Sequence, residues 1–111
     1  MKLSWVDGKP APGLSVHDRG LAYGDGLFET IRVRSARPQL FERHLQRLQD
    51  GCQRLGLACD LPALSAEILA FSAALGDGVA KLIITRGEGE RGYAIPGASA
   101  PRRVLLGSPA P

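Results

Sequence analysis

The residues best suited to chemistry are a glycine triplet, a set of arginines, a strand lysine, two histidines and two cysteines. Gly87, Gly89 and Gly92 spell G-x-G-x-x-G after a run of β-formers. Such a loop holds a pyrophosphate only when it opens a helix, whose first N–H groups bind the anion. Tyr93-Ala94-Ile95-Pro96-Gly97 is a poor helix start, so the match reads as coincidence. Arg43, Arg47 and Arg54 fall within about 40° of one another on a helical wheel, opposite a leucine stripe. Periodicity makes them a solvated face; the chemical alternative is a planar guanidinium aimed at a phosphate. Lys81 stands inside an apolar run. Burial there could activate an amine for Schiff-base chemistry, but a snorkelling or edge lysine is the commoner case and the favoured reading.

His17 and His44 have no cysteine or carboxylate at ligand spacing and read as surface or partly buried histidines, so no metal site is expected. Cys52 and Cys59 lack a CxxC or Cys/His cluster and read as reduced thiols in or near a core.

These side chains need elements to carry them. Lys2 to Val6 reads as a strand, Asp7-Gly8-Lys9 as a tight turn and Leu14 to Val16 as the returning strand. Two polar bends follow close together, His17 to Gly20 and Tyr23 to Gly26. Bends so near each other suggest backbone brought close to something. Leu27 to Val33 is rich in β-formers; Ser35 to Pro38 closes a hairpin, and Gln39 to Phe41 pairs back. Leu45, Leu48, Cys52 and Leu55 recur at helical spacing, predicting an amphipathic helix over Glu42–Leu57 with Leu45, Leu48 and Leu55 buried. Asp60 can cap a second helix over Leu61–Leu75, with Pro62 in its first turn. Val79 to Thr85 and Arg103 to Leu106 read as strands, separated by a Gly-rich loop from Arg86 to Gly92.

Strands, two helices, then strands indicate an α+β domain with an antiparallel sheet rather than an alternating wind. The expected boundaries are residues 1–106 for the domain and 107–111 for the start of a linker. With 111 residues the chain can bury a core without metals or disulfides. The net charge of +3 suits a small anionic ligand, and 5% aromatic residues leave few stacking platforms for single-stranded nucleic acid. The N-terminus lacks a signal-like apolar stretch, and no apolar run approaches membrane-spanning length. The expectation is a cytoplasmic protein with neither nucleic-acid nor membrane partners.

The segment Asp18-Arg19-Gly20-Leu21-Ala22-Tyr23-Gly24-Asp25-Gly26-Leu27-Phe28-Glu29-Thr30-Ile31-Arg32-Val33 resembles the N-terminal signature of the class IV aminotransferase family. His44-Leu45-Gln46-Arg47-Leu48 is similar to the family's helix motif. Ile84-Thr85-Arg86-Gly87 with Arg91-Gly92-Tyr93 is similar to its later strand and loop. Within the family, the aminodeoxychorismate lyases resemble it most. Branched-chain aminotransferases carry a glycine where Thr30 stands, which leaves room but no hydroxyl.

The resemblance implies the small N-terminal domain of a fold-type-IV pyridoxal 5'-phosphate enzyme, homodimeric when complete. It implies that Arg47 binds the cofactor phosphate and that Tyr23, Phe28 and Thr30 line the substrate side. Arg91 and Tyr93 would meet a small anionic substrate. The implied reaction of the complete enzyme is loss of pyruvate from 4-amino-4-deoxychorismate to leave 4-aminobenzoate. Family members continue well past this length, and the Schiff-base lysine is expected beyond Pro111, so no residue of this chain is assigned as catalytic. The competing readings are a branched-chain or D-amino-acid aminotransferase of the same fold and a non-catalytic binding module.

Overall fold

The computed structural model describes residues 3–88 and 101–110. The strands β1 (Leu3–Val6), β2 (Lys9–Pro10), β3 (Gly26–Arg34), β4 (Arg37–Pro38), β5 (Gly78–Thr85) and β6 (Arg102–Ser108) form one antiparallel sheet in the order β2-β1-β6-β5-β3-β4. The helices are α1 (Arg19–Tyr23), α2 (Phe41–Leu55) and α3 (Leu61–Leu75). The α+β class with an antiparallel sheet is as expected, with one short helix more than the two foreseen.

Alternation along the strands decides the layering, because successive side chains point to opposite faces. In β3, Ile31 and Val33 are buried with Ala80, Leu82 and Ile84 of β5 and Leu105 of β6. Against them pack Leu45, Leu48 and Cys52 of α2 and Leu64, Ile68, Phe71 and Leu75 of α3. Trp5 meets Phe71 edge to face at 5.2 Å, closing this layer beneath β1. On the opposite face stand Phe28, Thr30, Lys81 and Leu106, all exposed. One face of the sheet makes the core, and the other is open.

The structure corrects several expectations. Leu14–Val16 is not the returning strand. Asp7 and Gly8 both take positive φ, a two-residue turn that brings Lys9 and Pro10 directly back onto Val6 and Trp5. Pro10 and Pro12 have no N–H to extend that ladder. The bend at 17–20 opens α1, with the Asp18 side chain capping the Gly20 N–H and Gly24 ending the helix in the left-handed region.

Leu55 is 39% exposed rather than buried. The helix stops there in a Schellman arrangement, with Gly56 N–H donating to Gln53 O at 3.2 Å and Leu57 N–H to Cys52 O at 2.9 Å. That turn swings Leu57 into the core in place of Leu55. The return pairing after the hairpin is β4, Arg37–Pro38, rather than Gln39–Phe41. β6 runs through Gly107 and Ser108, two residues expected in the linker. Leu61–Leu75 is helical as foreseen, with the Asp60 side chain capping the Ala63 N–H. Among the described residues no helix is long and apolar enough to cross a membrane, and no three potential ligands cluster as a metal site.

Candidate active site

The two polar bends are brought against the end of β5 by a buried polar knot. Asp18 is fully buried and accepts from Thr85 Oγ1 at 2.8 Å and from the Gly20 N–H at 2.8 Å. Thr85 Oγ1 also accepts from the Gly87 N–H at 3.1 Å, so this hydroxyl both donates and accepts. Gly20 is required by close approach: a Cβ there would collide with the Thr85 side chain. Asp25 accepts from Arg19 Nε at 2.9 Å and from Arg86 Nε at 3.0 Å. Arg86 Nη2 donates onward to Leu55 O at 2.6 Å. Burial pushes the Asp25 carboxyl up, but the two guanidiniums together outweigh it and hold the group below its ordinary value. The knot ties α1 to β5 and to the end of α2, and it fixes the backbone from which Tyr23 projects. The Arg19 guanidinium lies 4.9 Å from the Tyr23 ring centroid.

Beyond the knot, the open face of the sheet carries two depressions, of about 350 and 550 Å³. Volumes of this size suit small-molecule ligands. The first is apolar, between Leu14, Leu21, Phe28, Ile83 and Val104. The second contains Ser4, Thr30 and Ser108. Lys81 borders both. Its Nζ sits 4.4 Å from the Phe28 ring centroid, and Thr30 is its cross-strand partner on β3. An exposed side chain laid over Phe28 fits the snorkelling reading of Lys81. The edge alternative is excluded, because β5 lies inside the sheet between β3 and β6. Register was the signal that could have found it, since pairing β3 with β5 puts Thr30 and Lys81 side by side.

Arg47 lies round the side. β4 pairs only with Val33 and Arg34, so among the described strands the outer edge of β3 before Val33 is unpaired. At that edge Leu27, Phe28, Glu29, Arg47, Asp50, Gly51 and Arg54 enclose a third depression of about 400 Å³. Phe28 borders this pocket and the first, linking the two sides of the strand. Arg43, Arg47 and Arg54 are all exposed, as on a solvated face, and of the three Arg47 and Arg54 border this depression. His44, read as an ordinary histidine, places Nδ1 2.9 Å from Glu29 Oε1.

Of the residues expected at the site, Tyr23 is exposed on α1 and lines neither depression of the open face, which α1 borders through Gly20 and Leu21. Phe28 and Thr30 share that face. Arg47 lies at the edge of the same strand. Arg91 and Tyr93 lie outside the described residues. Cys52 is buried with its thiol pushed up to about 12 by burial and by the neighbouring Cys59, consistent with free core thiols.

The amino-transferase class IV family model matches residues 26–111. A crystal structure of 4-amino-4-deoxychorismate lyase from Pseudomonas aeruginosa is 67% identical over 98% of this chain and 40% of its own, with a TM-score of 0.95. The PLP-bound form of a hypothetical aminotransferase from Mycobacterium tuberculosis is 32% identical, covering 100% of this chain and 41% of that one, with a TM-score of 0.77. A bifunctional aminodeoxychorismate lyase / D-amino acid transaminase from the same organism is 36% identical over 106 residues, 90% of this chain and 34% of the relative. The chain thus spans well under half the length of the relatives it matches.

Proposed function

The chain belongs to the class IV aminotransferase family, and on that premise we propose that it forms the substrate wall of a pyridoxal-phosphate lyase that converts 4-amino-4-deoxychorismate to 4-aminobenzoate and pyruvate. The observation that carries this is the 67% identity to a lyase of that activity across 98% of the chain. The open face agrees with it chemically. A ring-bearing dicarboxylate needs an apolar surface for the ring and a cation for a carboxylate. Phe28 and Ile83 supply the surface, and Lys81 supplies the cation.

The donor set also fits the cofactor's phosphate end. Arg47 and Arg54 line one pocket at the edge of β3, and a guanidinium fork matches a phosphate bidentately. When bound, pyridoxal phosphate supplies the electron sink that lets a bond next to the substrate nitrogen break. This chain's residues supply position. Arg47 anchors the phosphate, and Phe28, between the two pockets, separates the phosphate pocket from the substrate face. Thr30 offers a hydroxyl at the centre of that face, and Lys81 draws the carboxylate towards it. The anionic substrate and the homodimer are part of the same proposal, as is the placement of the proton-moving Schiff-base lysine outside this chain.

A D-amino-acid transaminase is the second reading, favoured by the 36% identity to a bifunctional relative. The complete protein should release 4-aminobenzoate and pyruvate from aminodeoxychorismate much faster than it exchanges amino groups between D-alanine and a 2-oxo acid. Transamination with no 4-aminobenzoate release would overturn the lyase reading.

A further inference from the structure

We propose that Glu29 is a positioning residue for the phosphate arm: it grips the Arg47 guanidinium by Nε, so that the two Nη groups already face the phosphate pocket before the cofactor enters. The proposal rests on the reading of Arg47 given above and deepens it.

Glu29 occupies a core-facing position of β3, in line with Ile31 and Val33, where alternation calls for an apolar residue. Its side chain is only 10% exposed. A carboxylate in such a place is costly unless paired, so its partners carry the explanation. Both come from one face of α2, one turn apart: Arg47 Nε donates to Oε1 at 2.9 Å, and His44 Nδ1 lies 2.9 Å from the same oxygen.

Despite that bond, the Arg47 side chain is 68% exposed. Among the described residues its Nη groups have no partner, and Arg47 borders the pocket that Arg54 also lines. A guanidinium can engage one group through Nε and present its Nη pair to another, which a lysine ammonium cannot do in a fixed plane. A free arginine loses much rotamer entropy on binding an anion; one already held by Glu29 loses less.

There is a counter-effect. Glu29 and Asp50 are both carboxylates bordering this pocket, and each repels a phosphate by simple charge. Asp50 accepts from Gln46, and among the described residues no hydrogen bond or ion pair joins it to Arg47. Positioning and repulsion therefore predict opposite signs when Glu29 is changed.

The test uses the complete protein and compares its affinities for pyridoxal phosphate and for pyridoxal, which lacks the phosphate. Arg47→Ala examines the underlying reading: the phosphate preference should fall at least about tenfold, and an unchanged preference would sink the Arg47 assignment itself. With that established, Glu29→Asp keeps the charge but withdraws the oxygen, whereas Glu29→Gln keeps an acceptor within reach but removes the charge. Positioning expects the preference to fall about tenfold in Glu29→Asp and to stay within about threefold of wild type in Glu29→Gln. Pyridoxal affinity should hold in both. A preference that rises in Glu29→Gln, or is untouched in Glu29→Asp, overturns the proposal while leaving Arg47 in place.

A measurement on the unaltered protein needs no variant to fold. The Arg47 Nε–H should give an exchange-protected NMR signal in the cofactor-free protein. Protection that appears only after pyridoxal phosphate binds would equally overturn the proposal.

Discussion

Thr30 and Lys81 are cross-strand partners on the open face of the sheet, joined by the pairing of β3 with β5 and separated in sequence by both long helices. Their adjacency puts a hydroxyl and an ammonium side by side over an apolar trough.

The first prediction concerns that ammonium. In the complete protein, Lys81→Met should raise KM for aminodeoxychorismate at least about tenfold, the loss of one charge-assisted contact. Retention of pyridoxal phosphate should not change. Borohydride reduction of the cofactor-loaded protein should leave Lys81 unlabelled, because its place here is to meet substrate. Stoichiometric labelling of Lys81, or an unchanged KM, would count against this role.

Asp25 should make the knot sensitive to acid. Its carboxyl titrates lower in the folded chain than its ordinary value of 3.8, so it stays ionised to lower pH when folded than when unfolded. The stability it contributes is full above that ordinary value and fades as pH falls through the lower folded one. Asp25→Asn should cost about 1.5–3 kcal/mol at neutral pH, the range for hydrogen bonds to charged groups. Urea unfolding of both proteins across pH 2–7 checks this: the gap should narrow only at the acid end, and a constant gap would argue for packing alone.

Leu48 is fully buried between α2 and the sheet. Leu48→Ala should cost about 2–5 kcal/mol through lost burial and the cavity left behind. Leu55→Ala, at the exposed end of the same stripe, should cost clearly less. Equal losses in denaturant midpoint would contradict the helix end described here.

Ser72 carries the one buried side-chain polar atom without a hydrogen-bond partner among the described residues. The residue is fully buried on α3, the helix that also brings Ile68, Phe71 and Leu75 into the core. Ser72→Ala removes an unpaired polar group and adds helix propensity, so it should stabilise the protein by roughly 1 kcal/mol. A fall in melting temperature would reveal a partner for this hydroxyl outside the described residues.

How much of this could be read from the chain alone depends on the range of each interaction. Leu61–Leu75 was legible because Asp60, Pro62 and the spacing of Leu64, Ile68, Phe71 and Leu75 are local signals that agree. The helical spacing of Leu45, Leu48 and Cys52 was equally plain, but Leu55 was misjudged, since Gly56 in the left-handed region ends the helix and hands burial to Leu57. Phe28, Thr30 and Arg47 were singled out for a site only through resemblance to a family. Nothing in their own neighbourhood distinguishes a strand residue or a solvated arginine from a site residue.

The rest was decided by tertiary structure. Glu29 sits 18 residues from Arg47, Asp18 sits 67 from Thr85, and Arg86 sits 61 from Asp25, each at hydrogen-bond distance. Such pairings follow from strand order and register, which local periodicity does not encode. Composition and spacing determined the two long helices and the strands near β3 and β5, with most of their apolar faces. Only the order β2-β1-β6-β5-β3-β4 and its register decided that Lys81 is central and that, among the described strands, the edge of β3 before Val33 is unpaired where Arg47 and Glu29 meet. A side chain's chemistry is local, but its partners are chosen by contacts between elements far apart in the chain.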